Sequence, residues 1–142
     1  MSLHKFCQRL VVTVTQERSI MDACRLLEEN NVGCMVVEDN GRICGILTDR
    51  DVALKVTGES KDPQKTKVEE IMTRNPVRIS IDKGLQELTS LMHSSHVRRV
   101  PIVNGLDKVL GIVTLDDLIA VISDEMFEIG RTVAEGFPAG TA

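Results

Sequence analysis

Thr48 and Asp51 stand three residues apart, and the same pair returns as Thr114 and Asp117. At a helix start this spacing makes a cap: the threonine oxygen accepts from an unpaired amide, and the carboxylate complements the positive end of the helix dipole. The same atoms can serve a ligand. A carboxylate accepts from both vicinal hydroxyls of a ribose, a threonine hydroxyl donates to sugar or phosphate, and exposed helix-start amides favour an anion. Capping alone is the commoner use of such a pair, and the two uses are compatible. Arg50 adds a guanidinium beside the first pair, where Asp116 follows in the second. His93 and His96 lack a third ligand at metal-site spacing, so no metal is expected there.

The elements that position these pairs come in duplicate. GILTDRDV at residues 45–52 returns as GIVTLDDL at 111–118, VVTV at 11–14 returns as VRIS at 77–80, and the apolar positions Ile20, Ala23, Leu26 and Leu27 return as Leu85, Leu88, Leu91 and Met92. A repeat of this kind marks a supersecondary unit that buries its apolar face against its own copy. In the first copy a strand is predicted at 11–14, a helix from the Ser19 cap to about residue 30, strands at 35–37 and 43–47 around the Asp39-Asn40-Gly41 turn, and a helix over 49–56. The second copy places strands at 77–81, 100–103 and 109–113 and helices at 85–92 and 115–122, with the helical pattern continuing through Met126, Phe127 and Ile129. Domain bounds follow: 1–57 for the first repeat, 58–67 for a polar, exposed linker broken by Pro63, 68–125 for the second repeat, and 126–142 for a helical extension with a frayed end. All of it should form one module, with an α/β (α+β) fold.

A chain of 142 residues can bury a core without disulfides or metals. Its net charge of -4 and its three aromatics, Phe6, Phe127 and Phe137, argue against a nucleic-acid groove with stacking platforms. Cys7, Cys24, Cys34 and Cys44 show no CxxC spacing, which suits reduced, mostly buried thiols. No apolar run approaches the roughly 20 residues of a membrane helix, and no signal-peptide pattern opens the chain. A cytoplasmic protein with neither nucleic acid nor membrane as partner is expected. No Ser/His/Asp or Cys/His constellation points to an enzyme.

Laid side by side, EEIMTRNPV at 69–77, HVRRVPIV at 96–103 and the doubled G-I-x-T-x-x-D resemble a tandem pair of cystathionine-β-synthase (CBS) domains, the Bateman module, in a stand-alone prokaryotic-type arrangement. FCQRLV at 6–11 takes the leader's place before the first copy, without its proline. The resemblance implies two βαββα repeats related by pseudo-twofold symmetry, sheets packed together and helices outside. It further implies two clefts that commonly bind AMP, ADP, ATP or S-adenosylmethionine; NAD is also possible, since its ribose and adenine would use the same features. In such a cleft the T-x-x-D of one repeat faces the strand after the other repeat's helix. Thr48, Arg50 and Asp51 would then face Val97, Arg98 and Arg99, whose guanidinium groups grip phosphate. Thr114 and Asp117 would face Val32, Gly33 and Cys34, beside Asp116, in a cleft poorer for phosphate. Ile46, Val97, Pro101 and Ile79 are candidates for the adenine slot. The function implied is a regulatory sensor of an adenosine-containing ligand, AMP, ADP or ATP favoured, which requires no cofactor, forms a homodimer and acts on a separate effector protein. The alternative is a ligand-independent dimerisation or protein-interaction module.

Overall fold

The computed structural model describes residues 2–7 and 10–136; Gln8 and Arg9 of the first leader and the tail at 137–142, expected to fray, lie outside the described residues. In the first copy β1 (Thr13–Thr15) runs parallel to β2 (Cys34–Asp39), which pairs antiparallel with β3 (Arg42–Thr48). Helix α1 (Ile20–Glu29) connects β1 to β2, and its Ser19 cap accepts the Asp22 amide at 3.1 Å. The turn between β2 and β3 uses Asn40 and Gly41 at φ 51° and 77°, the left-handed backbone a tight hairpin demands. After β3 come α2 (Asp49–Val52), α3 (Val68–Ile71) and β4 (Thr73–Arg74), which adds to the edge of β3. The second sheet repeats the order with β5 (Ile79–Ser80) parallel to β6 (Arg99–Val103) and β6 antiparallel to β7 (Val109–Thr114). α4 (Leu85–Ser95) connects β5 to β6, and α5 (Leu115–Glu135) follows β7. Both hairpins carry a register shift at matching places, Val37/Glu38 and Ile102/Val103.

The expected helix over 49–56 is only partly regular. α2 lasts four residues and widens into a π turn at Ala53–Thr57, closed by the Gly58 amide donating to the Ala53 carbonyl at 2.8 Å, with Val56 buried in the first core. The linker at 58–67 is not exposed throughout. The first amides of α1 lack partners within the helix, and the Thr66 and Pro63 carbonyls accept from Ile20 and Met21 at 2.9 and 3.0 Å, which leaves Thr66 buried. The strand expected at 77–81 shrinks to Ile79–Ser80, because Asn75 at φ 45° turns the chain and the backbone reaches β6 only afterwards.

The two cores do not follow the order of the chain. Val68, Ile71 and Met72, which lead into the second copy, are buried among Val14, Ile20, Leu27, Met35 and Leu47 of the first. Leu3 and Phe6, from a 3₁₀ turn at Leu3–Cys7, are buried among Leu88, Met92, Val100, Val113 and Leu118 of the second. Each leader therefore completes the other copy's core, and this explains the glycine of both G-I-x-T strings. A Cβ at Gly45 would stand 2.5 Å from the Met72 sulfur, and one at Gly111 would stand 2.8 Å from the Phe6 carbonyl oxygen. The sheets meet through Val36 and Ile43 on one side and Val103 on the other, flanked by Val11 and Val109, while the Ile43 amide donates across to the Asp107 carbonyl at 3.2 Å.

Candidate functional site

Both T-x-x-D pairs form capping boxes. Thr48 ends β3 in an extended conformation, its Oγ1 accepts the Asp51 amide at 3.1 Å, and Asp51 Oδ2 accepts both the Thr48 amide and the Thr48 hydroxyl at 3.0 Å. The hydroxyl proton is thus committed to Asp51, and what Thr48 offers a ligand is a lone pair. Asp51 Oδ1 lies 3.0 Å from Lys55 Nζ, and the carboxylate side chain is only 16% exposed. Thr114 and Asp117 repeat the geometry: the Asp117 amide donates to Thr114 Oγ1 at 3.1 Å and the Thr114 amide to Asp117 Oδ2 at 3.0 Å.

The leader crossing places the first cap beside the second repeat. A cavity of about 310 Å³ is lined by Ile46 and Thr48 of β3, by Thr73, Asn75, Pro76 and Val77 of the second leader, and by Val97, Arg98 and Arg99 where α4 passes into β6. Of the residues expected together from the sequence, Ile46, Thr48, Val97, Arg98 and Arg99 share this cavity. Arg50 and Asp51 are not in its lining: Arg50 is exposed on the first turn of α2, and the Asp51 carboxylate is turned into the cap and toward Lys55. Pro101 and Ile79 are buried instead, Pro101 within a β6 whose last four residues are all covered. The leader's contribution is absent from the sequence reading, although NPV at 75–77 was its visible trace.

Arg78 fixes that wall. Its guanidinium holds Asp107 in a two-pronged pair, Nε to Oδ1 at 2.7 Å and Nη2 to Oδ2 at 2.8 Å, while Nη1 donates to Asn75 Oδ1 at 2.9 Å. Such forked geometry restricts orientation in a way a lysine cannot. The turn before β7 and the cavity wall are thereby tied to one side chain.

The opposite cavity, about 290 Å³, is lined by Val32, Gly33, Cys34, Thr114 and Asp117, as the family resemblance implies, together with Val11, Val36, Ile112 and Arg99. Arg99 borders both clefts, so the opposite cleft is less poor in cations than expected. Asp116 is exposed and lies 3.7 Å from Arg98, also exposed, a surface pair of little energetic weight. Burial raises the Cys34 thiol above its ordinary pKa, with Arg99 pulling it partly back and Asp49 pushing it further up; burial likewise raises Cys7, Cys24 and Cys44. The sign follows: a thiol that ionises later in the folded chain contributes stability that is fully present below the unfolded value of about 8.5 and is lost as pH rises through the raised folded value. The ultraviolet thiolate titration of the native protein should accordingly lie above that of the urea-unfolded chain; coincident curves would refute the burial of these groups. Among the described residues no three His, Cys, Asp or Glu side chains are grouped to hold a metal ion, and no helix is long and apolar enough to cross a membrane.

Comparison with known proteins places this geometry. The model of the CBS domain matches twice, at residues 5–58 and 68–124. The CBS domain-containing protein YhcV of Bacillus subtilis is 38% identical over 108 residues, covering 76% of each chain. A putative signal-transduction protein with CBS domains from Burkholderia ambifaria superposes with a TM-score of 0.76 at 30% identity, covering 87% of this chain and 96% of that one. The CBS domain pair of protein MJ0100, solved in complex with 5′-methylthioadenosine and S-adenosyl-L-methionine, superposes with a TM-score of 0.75 at 27% identity over 88% of this chain and 98% of that one.

Proposed function

Since the chain belongs to the CBS domain family and carries the domain pair that forms a regulatory module, we propose that it senses an adenine nucleotide, AMP, ADP or ATP, in the cleft between Thr48 and Arg99. The observation that carries this reading is the composition of that cavity. Ile46, Pro76, Val77 and Val97 offer an apolar slot for a base, and Arg98 and Arg99 stand at the same opening with charge for phosphate. The Asp51 carboxylate acts through its cap: it holds the amide and hydroxyl of Thr48, which lines the cavity, and so positions that side chain for a sugar hydroxyl. The ligands of the MJ0100 domain pair share the adenosine part, which supports the class. Two guanidinium groups favour phosphate over the sulfonium of S-adenosylmethionine. Occupancy shifts the population of two arrangements of the repeats in proportion to the ligand's differential affinity, and a separate effector protein in the cytoplasm reads the result. The module is regulatory and not catalytic, requires no cofactor, and works as a homodimer.

A thermal-shift panel of AMP, ADP, ATP, S-adenosylmethionine and NAD tests the reading. A nucleotide at a hundred times its Kd should stabilise the protein by about 2.7 kcal/mol. Arg99→Ala should abolish the shift and Asp51→Ala should weaken it, with all nucleotide recovered unchanged. If every compound leaves the melting temperature unmoved, the ligand reading falls. The interaction-module alternative then stands, favoured by the exposed apolar side chains of α5.

A further inference from the structure

α5 begins against the second core, where Leu118 is buried, and then runs on with no further buried side chain as far as Glu135. Of its six exposed large apolar residues, Phe127 stands apart, at position b of a heptad, and the other five form a stripe. Ile119, Ile122, Met126, Ile129 and Val133 are spaced 3, 4, 3 and 4 apart, the a and d positions of a heptad repeat, and Ile119, Met126, Ile129 and Val133 are each more than half exposed. We infer that this stripe is the seam of a two-helix pairing between two copies of the chain.

The charges of the helix identify the occupant. Asp124, Glu128, Arg131 and Glu135 fall at positions c and f, on the outer side of the seam, where Arg131 pairs with Glu128 at 3.7 Å and with Glu135 at 3.2 Å. Position e holds Ser123 and Gly130, and g holds Thr132 and Glu125, whose charge is met by Lys5 at 3.4 Å. Two identical helices can therefore pair along this stripe without setting like charges opposite one another, which is what a self-complementary twofold contact requires. An anionic lipid surface is disfavoured, because the polar side of the helix carries more acid than base. The stripe spans fifteen residues, Ile119 to Val133, about 21 Å end to end, and most of it lies beyond residue 124, where the match to the CBS domain ends. It is a feature of this chain's extension and does not follow from the domain pair. The inference rests on the homodimer of the functional reading and on no ligand.

Light scattering on the full chain after size exclusion, with the Met126→Glu/Ile129→Glu double variant and an outer-side control, Glu128→Ala, decides it. The wild type and the control should elute at twice the chain mass. The double variant should elute at the single-chain mass, with its helix content and its nucleotide thermal shift unchanged, since neither side chain is buried within one copy. A monomeric wild type would overturn both the seam and the homodimer. A double variant that stays dimeric would overturn the seam alone, and the thermal shift reads the ligand site separately in every case.

Discussion

Gly111→Ala should destabilise the protein by about 3 kcal/mol, near the upper end for an overpacked site, and lower its melting temperature by roughly 10 °C for a chain of this size. The atoms a new Cβ would meet are backbone: the Phe6 carbonyl oxygen at 2.8 Å and the Cys7 Cα at 3.0 Å. Neither can move without lifting the 3₁₀ turn off β7 and exposing Leu3 and Phe6, both now buried in the second core. Its repeat-related partner makes the comparison informative. At Gly45 the first atoms met belong to the flexible Met72 side chain, its sulfur at 2.5 Å and its Cγ at 3.1 Å, with the Thr73 carbonyl oxygen also at 3.1 Å, so Gly45→Ala should cost about half as much, about 1–2 kcal/mol. Gly105→Ala, with nothing within 4 Å, should stay within about 0.5 kcal/mol of wild type. Urea midpoints of the three variants check the order. Equal values for Gly111→Ala and Gly105→Ala would mean that the leader does not cross at β7.

Val36→Asp should be more severe, at more than about 4 kcal/mol, because it buries an unpaired carboxylate. Val36 is completely buried in an apolar cluster with Ile43, Val103, Val11 and Val109, where both sheets meet. Val36→Ala, which removes only packing, should cost about 2 kcal/mol. The gap between the two variants in chemical denaturation measures how dry the junction is. A Val36→Asp protein as stable as Val36→Ala would show that water reaches the contact and that the sheets are not packed there.

The local chemistry of both copies was legible because short-range rules govern it. Ser19, Thr48 and Thr114 cap helices as their types and spacing imply, and Asn40-Gly41 turns the first hairpin. The pairing of Thr48 with Val97, Arg98 and Arg99 came from the family resemblance and depends on the sheets meeting face to face. What was hidden is long-range. Nothing local in the first leader says that Leu3 and Phe6 belong to the second core, and Asn75 and Pro76 line the cavity only because their leader crosses too. Pro101, a candidate for the adenine slot, is buried, in a strand whose last four residues are all covered. Arg50 and Asp51 lie outside the cavity lining: Arg50 is exposed on the first turn of α2, and the cap that identifies Asp51 holds its carboxylate against Thr48. Arg99 was assigned to one cleft and borders both, a consequence of standing at the start of a strand shared between them.

The exchanged leaders also set a timetable. As the chain emerges from synthesis, Leu3 and Phe6 come first, yet the surface that buries them is not complete until Leu118. The first core must wait for Val68, Ile71 and Met72 before it can close. Cutting the chain within 58–67 would leave two fragments, each holding a piece of the other's interior, and neither should fold alone. Mixed together they should recover the native state only as a pair, because duplication and exchange have made each half the other's template.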